Sequence, residues 1–214
     1  VVGRFVGTEA LAAVGGSTSQ IINLIVGFFT GLASGATVVI SQNYGAKNPD
    51  GVQKALRTAY ALSIAGGLLI SIVSILLTRP LLEMINTPSD VINLSETYLC
   101  IYFAGLIFVF IYNVGAGILR AVGDSRRPLY FLIVCCIINI ILDIVLIVFF
   151  KMGVAGAAIA TTFSQGVSAV LVTITLCRST DMFKLHLSKI RLYVQPMGMI
   201  LKIGLPAGLQ SAMY

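Results

Sequence analysis

Long apolar runs separated by short polar gaps organise this chain. The runs cover about residues 11–44, 52–77, 90–119, 128–150 and 154–177. Each run can cross the ~30 Å hydrocarbon core of a bilayer as a helix, because a helix rises about 1.5 Å per residue. The pattern therefore predicts five transmembrane helices, and a further apolar segment begins at Pro196.

The first run is longer than a bilayer requires. As one helix it would reach roughly 50 Å, so we expect it to tilt, bend or project beyond the hydrocarbon core. Gly27, Gly31 and Gly35 recur along it at intervals of four, and such a stripe of small residues favours close packing against another helix. Residues 1–10 are predicted to be the end of an earlier membrane helix and a short polar link.

Composition supports a membrane protein. The chain is 57% hydrophobic and 10% charged, with a mean hydropathy of +0.98, and a soluble domain with these values would expose large apolar patches. The net charge of +6 does not point to nucleic acid, because the basic residues lie in the gaps between runs. The predicted partner is the lipid bilayer, with no nucleic acid.

The positions of the basic residues predict an orientation. Most of the 14 lysines and arginines fall in alternate gaps, at residues 45–57, 120–127 and 178–202. Short cytoplasmic loops carry an excess of Lys and Arg. We therefore expect a multi-pass protein of the plasma (inner) membrane with these three loops in the cytoplasm.

One carboxylate lies in the middle of an apolar run. A charge such as that of Asp143 costs about 2.5–3.5 kcal/mol at the centre of a membrane helix, and such residues usually mark functional sites. Asn139 lies four residues earlier on the same helical face. Ala157 and Thr161 follow on the next run, after a short break at residues 151–153. Two antiparallel helices joined by so short a turn lie side by side, which places Asp143 and Asn139 opposite Thr161.

These groups are hard oxygen donors, which suit a small hard cation, and a proton on the carboxylate is the other candidate occupant. A purely structural alternative is that Asp143 holds two helices together through hydrogen bonds to Asn139 and Thr161. We favour the cation hypothesis, because carboxylates are seldom retained in membrane helices for packing alone. The sequence assigns no substrate-binding role to the other polar residues in the runs, such as Gln42, Asn113 and Gln165.

Five short motifs carry a resemblance to a known family. In chain order they are VGRFVGTEALAAVG, SQNYGAKN, ILRAVGDSRRP, NIILD with GVAGAAIAT, and LKIGLPAGLQ. In this order and spacing the chain resembles the multidrug and toxic compound extrusion (MATE) transporters. The resemblance implies an all-α integral membrane protein, a polytopic helix bundle of twelve helices in two six-helix lobes.

The resemblance also implies how the chain is divided. Residues 1–178 would form the amino-terminal lobe, with its first helix largely absent. Residues 179–195 would be the cytoplasmic loop between the lobes, and residues 196–214 the start of the first helix of the second lobe. The rest of that second lobe would be a missing partner from the same polypeptide.

The family's cation site maps onto the residues already singled out. Its Asn-x-x-x-Asp pair corresponds to Asn139 and Asp143, its threonine to Thr161, and Ala157 would offer a backbone carbonyl. If the ion is sodium rather than a proton, Asp143, Asn139 and Thr161 would be its side-chain ligands. An aspartate of the family's first helix, which completes the site, would lie just before Val1.

The function implied is antiport: a proton or sodium ion would drive export of amphipathic or cationic organic compounds by alternating access. The alternatives are a lipid-linked oligosaccharide flippase of the same superfamily, which calls for a more cationic cavity, and a membrane fragment that does not transport. A membrane-embedded transferase would need clustered aspartates for magnesium and diphosphate, whereas only isolated acids occur here. We therefore predict no enzyme, no catalytic residues and no cofactor other than the coupling ion.

Overall fold

The computed structural model describes residue 3, residues 6–179 and residues 182–212, and over these residues it contains helices and no strand. The α-helices are α1 Thr8–Gly15, α2 Ser17–Gly45, α3 Pro49–Met84, α4 Ile92–Ala104, α5 Leu106–Ala121, α6 Arg126–Asp143, α7 Gly153–Arg178 and α8 Val194–Ala212. A π-helix, Ile144–Phe149, continues α6, and a short 3₁₀-helix, Leu187–Lys189, precedes α8. Parts of the segments predicted at residues 1–10, 179–195 and 196–214 lie outside the described residues.

The helices confirm an all-α membrane bundle. Four are long and apolar enough to cross a membrane, or five if the bent pair α4 and α5 forms one span. These candidate spans are Ala10–Gly45, Pro49–Met84, Ile92–Ala104 with Leu106–Ala121, Arg126–Phe149 and Gly153–Arg178. Each of the five predicted apolar runs therefore falls on one of them.

The first run is interrupted near its start. Gly16 leaves the helical conformation, with φ −84° and ψ −119°, and it separates α1 from α2. The Thr18 hydroxyl donates a hydrogen bond to the Ala13 carbonyl across the break. The Ser95 hydroxyl on α4 also donates to this carbonyl, at 3.5 Å, so side chains from two helices satisfy it at the break.

α3 extends about two turns beyond the predicted span at residues 52–77, through Pro80 to Met84. A proline removes one helical hydrogen bond, yet other contacts hold the last turns in place. Leu82 is fully buried, and Arg79 forms ion pairs with Glu83 and Glu96 at 3.3 and 3.1 Å. Glu96 is thus a half-buried partner of Arg79.

The span predicted at residues 90–119 is bent by 47° between α4 and α5. Gly105 lies at the bend, and a Cβ at this position would overlap the Thr162 side chain on α7. The bend thus lets the middle of this span approach α7 closely. As a result α4 contacts the half of α7 that carries Ala157 and Thr161.

Small residues join α8 to α2. A Cβ on Gly31 would overlap the backbone of Gly208, and one on Gly35 would overlap that of Gly204. The predicted packing role of Gly31 and Gly35 is therefore confirmed, since glycines on both helices let the two backbones approach. The segment before α8 is also anchored, because the Gln53 side-chain amide donates to the carbonyls of Met182 and Lys184 at 2.7 and 2.9 Å.

Candidate functional site

The short connection between the π-helix and α7 sets the two candidate helices side by side. Lys151 and Gly153 both have positive φ angles, 53° and 57°, a region that glycine enters without steric cost. The chain reverses there, and α6 packs along α7. The predicted antiparallel pair is therefore present in the structure.

Asn139 and Thr161 meet across this pair. The Asn139 side-chain Nδ2 donates a hydrogen bond to Thr161 Oγ1 at 3.3 Å, and Thr161 Oγ1 donates in turn to the Ala157 carbonyl at 2.9 Å. Ala157 is buried and the other two side chains are half-buried. Three of the four predicted residues thus form one continuous hydrogen-bonded chain.

Asp143 ends α6 at its junction with the π-helix Ile144–Phe149. Its Oδ1 atom is buried and has no hydrogen-bond partner in the structure. Buried polar atoms nearly always have a partner, and leaving one unpaired costs about 1–3 kcal/mol. An orphaned oxygen of this kind is compatible with the predicted proton or cation. π-helical turns of this kind are frequent at functional sites.

Tyr98 on α4 is a site residue that the sequence analysis missed. It is 7% exposed, and its hydroxyl lies close enough to Thr161 and Asp143 to interact electrostatically with both. A buried tyrosine hydroxyl usually requires a polar partner, so its place in an apolar run was a usable signal. Nothing in the sequence, however, shows that α4 packs against this part of α7.

Apolar side chains surround the polar group. Tyr98 and Ala157 belong to one buried cluster with Ile147, Val154 and Ala158. Electrostatic interactions are stronger in such a low-dielectric environment than in water. The charge of the Asp143 carboxylate therefore interacts with Tyr98 on α4 more strongly than it would in water.

The donor set suits a small monovalent cation or a proton. It consists of one carboxylate, a hydroxyl, an amide side chain and a backbone carbonyl, all hard oxygen ligands. Across the described part of the chain no three His, Cys, Asp or Glu side chains come together as metal ligands. Cation binding by Asp143, Asn139, Thr161 and Ala157 stays a prediction, and the structure supports it through the unpaired Asp143 oxygen.

A second polar region lies between α2 and α5. Asn113 lines a cavity of about 230 Å³ there, and the cavity also contains Thr30, Ser34, Thr37 and Arg120. Arg120 is the one charged side chain in the lining. Hydroxyl and amide groups dominate its polar surface.

The chain is similar to multidrug resistance proteins. The family model described as MatE matches residues 1–145. The "Probable multidrug resistance protein YoeA" of Bacillus subtilis (strain 168) is 33% identical over an alignment of 217 residues, gaps included. The alignment covers 97% of this chain and 46% of that protein. The chain thus spans about half the length of this relative.

Solved structures give the same assignment. An inward-facing multidrug resistance MATE family transporter of the MOP superfamily matches with a TM-score of 0.87 and 28% identity, over 95% of this chain and 46% of that chain. An outward-facing structure of such a transporter matches with a TM-score of 0.88 and 28% identity, over 98% and 46%. The residues matched by the family model include both Asn139 and Asp143. On this evidence the chain belongs to the MatE family of transporters.

Proposed function

We propose that this chain forms the amino-terminal lobe of a cation-coupled antiporter that exports amphipathic or cationic organic compounds. The relative and the two solved structures described above carry multidrug resistance in their names, which supports this class of substrate. A second lobe of the same polypeptide would complete the transport pathway. In the plasma membrane, the basic loops at residues 45–57, 120–127 and 178–202 would face the cytoplasm.

The unpaired Asp143 oxygen is the observation that carries the proposal. In this membrane bundle the carboxylate would accept a proton, or it would bind sodium together with Thr161 and the Ala157 carbonyl. Because Asn139 and Asp143 lie on α6 and their partners lie on α7 and α4, the occupant would bind groups from three helices. Such an ion can drive transport only if it binds one conformation better than the other.

The structural comparisons are compatible with alternating access by movement of whole lobes. The same chain matches the inward-facing and the outward-facing structures almost equally, with TM-scores of 0.87 and 0.88. A lobe with the same internal fold in both states can act as one moving body. The cation site would then bias the movement from inside one lobe.

The flippase alternative receives less support. A lipid-linked oligosaccharide carries phosphate groups and calls for a cationic cavity, because phosphate is recognised by clustered Arg and Lys. The cavity between α2 and α5 contains a single basic side chain, Arg120. We therefore retain the antiporter as the proposed function. Its transport cycle would involve no covalent chemical step.

The test is efflux of a cationic dye from liposomes that contain the full-length protein, driven by an imposed proton or sodium gradient. Replacing Asp143 by Asn removes the titratable group and the formal charge while it keeps the shape. We expect gradient-driven efflux by Asp143→Asn to fall to the level of empty liposomes. The variant should remain folded, because the amide keeps the shape of the carboxylate and removes a charge that is costly to bury.

Glu96→Gln is the matched control, since it neutralises a half-buried carboxylate that is paired with Arg79 and not with a residue of the candidate site. A solvent-accessible ion pair of this kind contributes about 0–1 kcal/mol to the stability of the fold. Efflux by Glu96→Gln should therefore remain close to that of wild type. Equal gradient-driven efflux from wild type and Asp143→Asn would overturn the coupling role of Asp143. A thermal unfolding midpoint that falls sharply in Asp143→Asn would instead favour the structural alternative.

A further inference from the structure

A polar and aromatic pocket lies at the opposite end of the α6–α7 pair from their short connection. Its volume is about 550 Å³, and it lies between the start of α6, the end of α7 and the segment after α7. Arg127 and Arg178 line it together with Tyr130, Phe131, Ile174 and Phe183. We propose that this pocket binds the headgroup of an anionic phospholipid. The inference does not rest on cation coupling or on the exported substrate.

The two arginines supply the charge. Arg178 is exposed at the last turn of α7, and no carboxylate in the described part of the chain pairs with it. Arg127 forms an ion pair with Asp124 through Nε at 3.2 Å, which leaves the two terminal amino groups of its guanidinium for another anion. A phosphate group suits such a pair, because guanidinium groups bind phosphate oxygens in a bidentate manner.

The position of the pocket favours a lipid over a soluble anion. Tyr130 is 60% exposed and lies one turn from Arg126, and tyrosine is enriched at the level of lipid headgroups. From Tyr130 a row of exposed apolar side chains continues along α6 through Val134, Ile137 and Ile141. These residues recur at helical spacing on one face, so acyl chains can lie along it below the headgroup.

α7 provides the second wall of this surface. Ile174 lines the pocket, and Val170 is exposed one turn further along the helix. The basic pocket of about 550 Å³ is therefore continuous with apolar surface on two neighbouring helices. Basic pockets between transmembrane helices near the cytoplasmic surface are a known mode of binding acidic lipid headgroups.

The experiment uses full-length protein in nanodiscs of phosphatidylcholine into which phosphatidylglycerol is titrated, with bound lipid counted by native mass spectrometry. We expect wild type to retain phosphatidylglycerol in preference to phosphatidylcholine. The double variant Arg127→Gln/Arg178→Gln should bind phosphatidylglycerol about tenfold more weakly. Arg178→Gln alone should show part of this loss, and because Arg178 has no ion pair among the described residues, this single variant should fold normally.

Arg126→Gln/Lys189→Gln is the matched control. It also removes two exposed positive charges from the same end of the bundle, but neither residue lines the pocket. Its affinity for phosphatidylglycerol should remain that of wild type. Equal losses in both double variants would show diffuse surface attraction and would overturn the proposal. Equal retention of phosphatidylglycerol and phosphatidylcholine by wild type would also overturn it, since the pocket would then not select an anionic headgroup.

Discussion

Asp143 depends on neighbours from two other helices. Thr161 and Ala157 lie on α7, and Tyr98 reaches the site from α4. Asn139 is bound to Thr161 rather than free, so it fixes the position of the Thr161 hydroxyl. Asp143 lies outside this hydrogen-bonded chain, and its buried Oδ1 atom has no partner.

Removing the Tyr98 hydroxyl should weaken the site without unfolding it. In Tyr98→Phe the ring keeps its place against Ile147 and Val154, while the polar interaction of its hydroxyl with Thr161 is lost. A hydrogen bond contributes about 0.5–1.5 kcal/mol net, which corresponds to roughly two- to tenfold weaker cation binding. The measurement is gradient-driven efflux from liposomes as a function of the driving-ion concentration.

Tyr102→Phe is the companion variant for this prediction. Tyr102 lies one turn further along α4 and stacks on Tyr98 with ring centroids 6.2 Å apart. Its substitution removes the same atom from the neighbouring ring and should leave the ion dependence unchanged. If the two variants behave alike, the Tyr98 hydroxyl has no particular role in the site.

The sequence could predict much of this site but not all of it. Asn139 and Asp143 share a helical face by their spacing, and the short turn at residues 151–153 brings Thr161 alongside them. These are local relations, which helical geometry determines. Tyr98 lies 45 residues before Asp143 in the chain, and its approach depends on the packing of α4 against α7. Contacts of that kind are not encoded in periodicity.

At the scale of the helices, length and apolarity predict the spans, whereas breaks and bends depend on particular contacts. The bend between α4 and α5 needs Gly105 against Thr162, and neither residue alone signals it. α3 continues through Pro80 because Leu82 is buried and Arg79 is paired. If a helix is assumed to end before each proline of the sequence, α3 is predicted to end too early.

The α2–α8 contact gives a prediction about helix packing. In Gly31→Ala the added methyl group would overlap the backbone of Gly208, and a backbone cannot rotate aside as a side chain can. We expect a loss of about 1–3 kcal/mol of stability, as for other overpacked sites. The measurement is the thermal unfolding midpoint of the purified full-length protein in detergent.

Gly66→Ala provides the comparison for Gly31→Ala. Gly66 also lies inside a helix, but the nearest atom to an added Cβ is Phe29 Cε1 at an ordinary 3.6 Å. Alanine is favoured over glycine in helices by about 1 kcal/mol, so this variant should unfold at or above the wild-type temperature. An unchanged midpoint in Gly31→Ala would mean that α8 does not pack on α2 as described.

At the scale of the whole molecule, the described helices form three buried clusters that share boundaries. The largest joins α2, α3, α5 and α7 with the segment before α8, through buried residues such as Ile40, Leu56, Leu119, Leu176 and Leu185. The candidate cation site lies beside a smaller cluster around Tyr98. Because α7 contributes to both, a change at Thr161 is connected to the core of the bundle by one continuous helix.

The positions of the basic residues predict the orientation of the whole bundle, and labelling can test this prediction. In a variant whose four cysteines, all free, are replaced by alanine, a single cysteine is introduced at exposed Lys47, Arg126 or Lys151. If the basic loops face the cytoplasm, a membrane-impermeant maleimide added to intact cells should label Lys151→Cys and should not label Lys47→Cys or Arg126→Cys.

Permeabilised cells should show labelling at all three positions, which establishes that each thiol is reactive. Labelling of Lys47→Cys and Arg126→Cys from outside intact cells would reverse the orientation, and with it the predicted cytoplasmic location of the lipid-binding pocket.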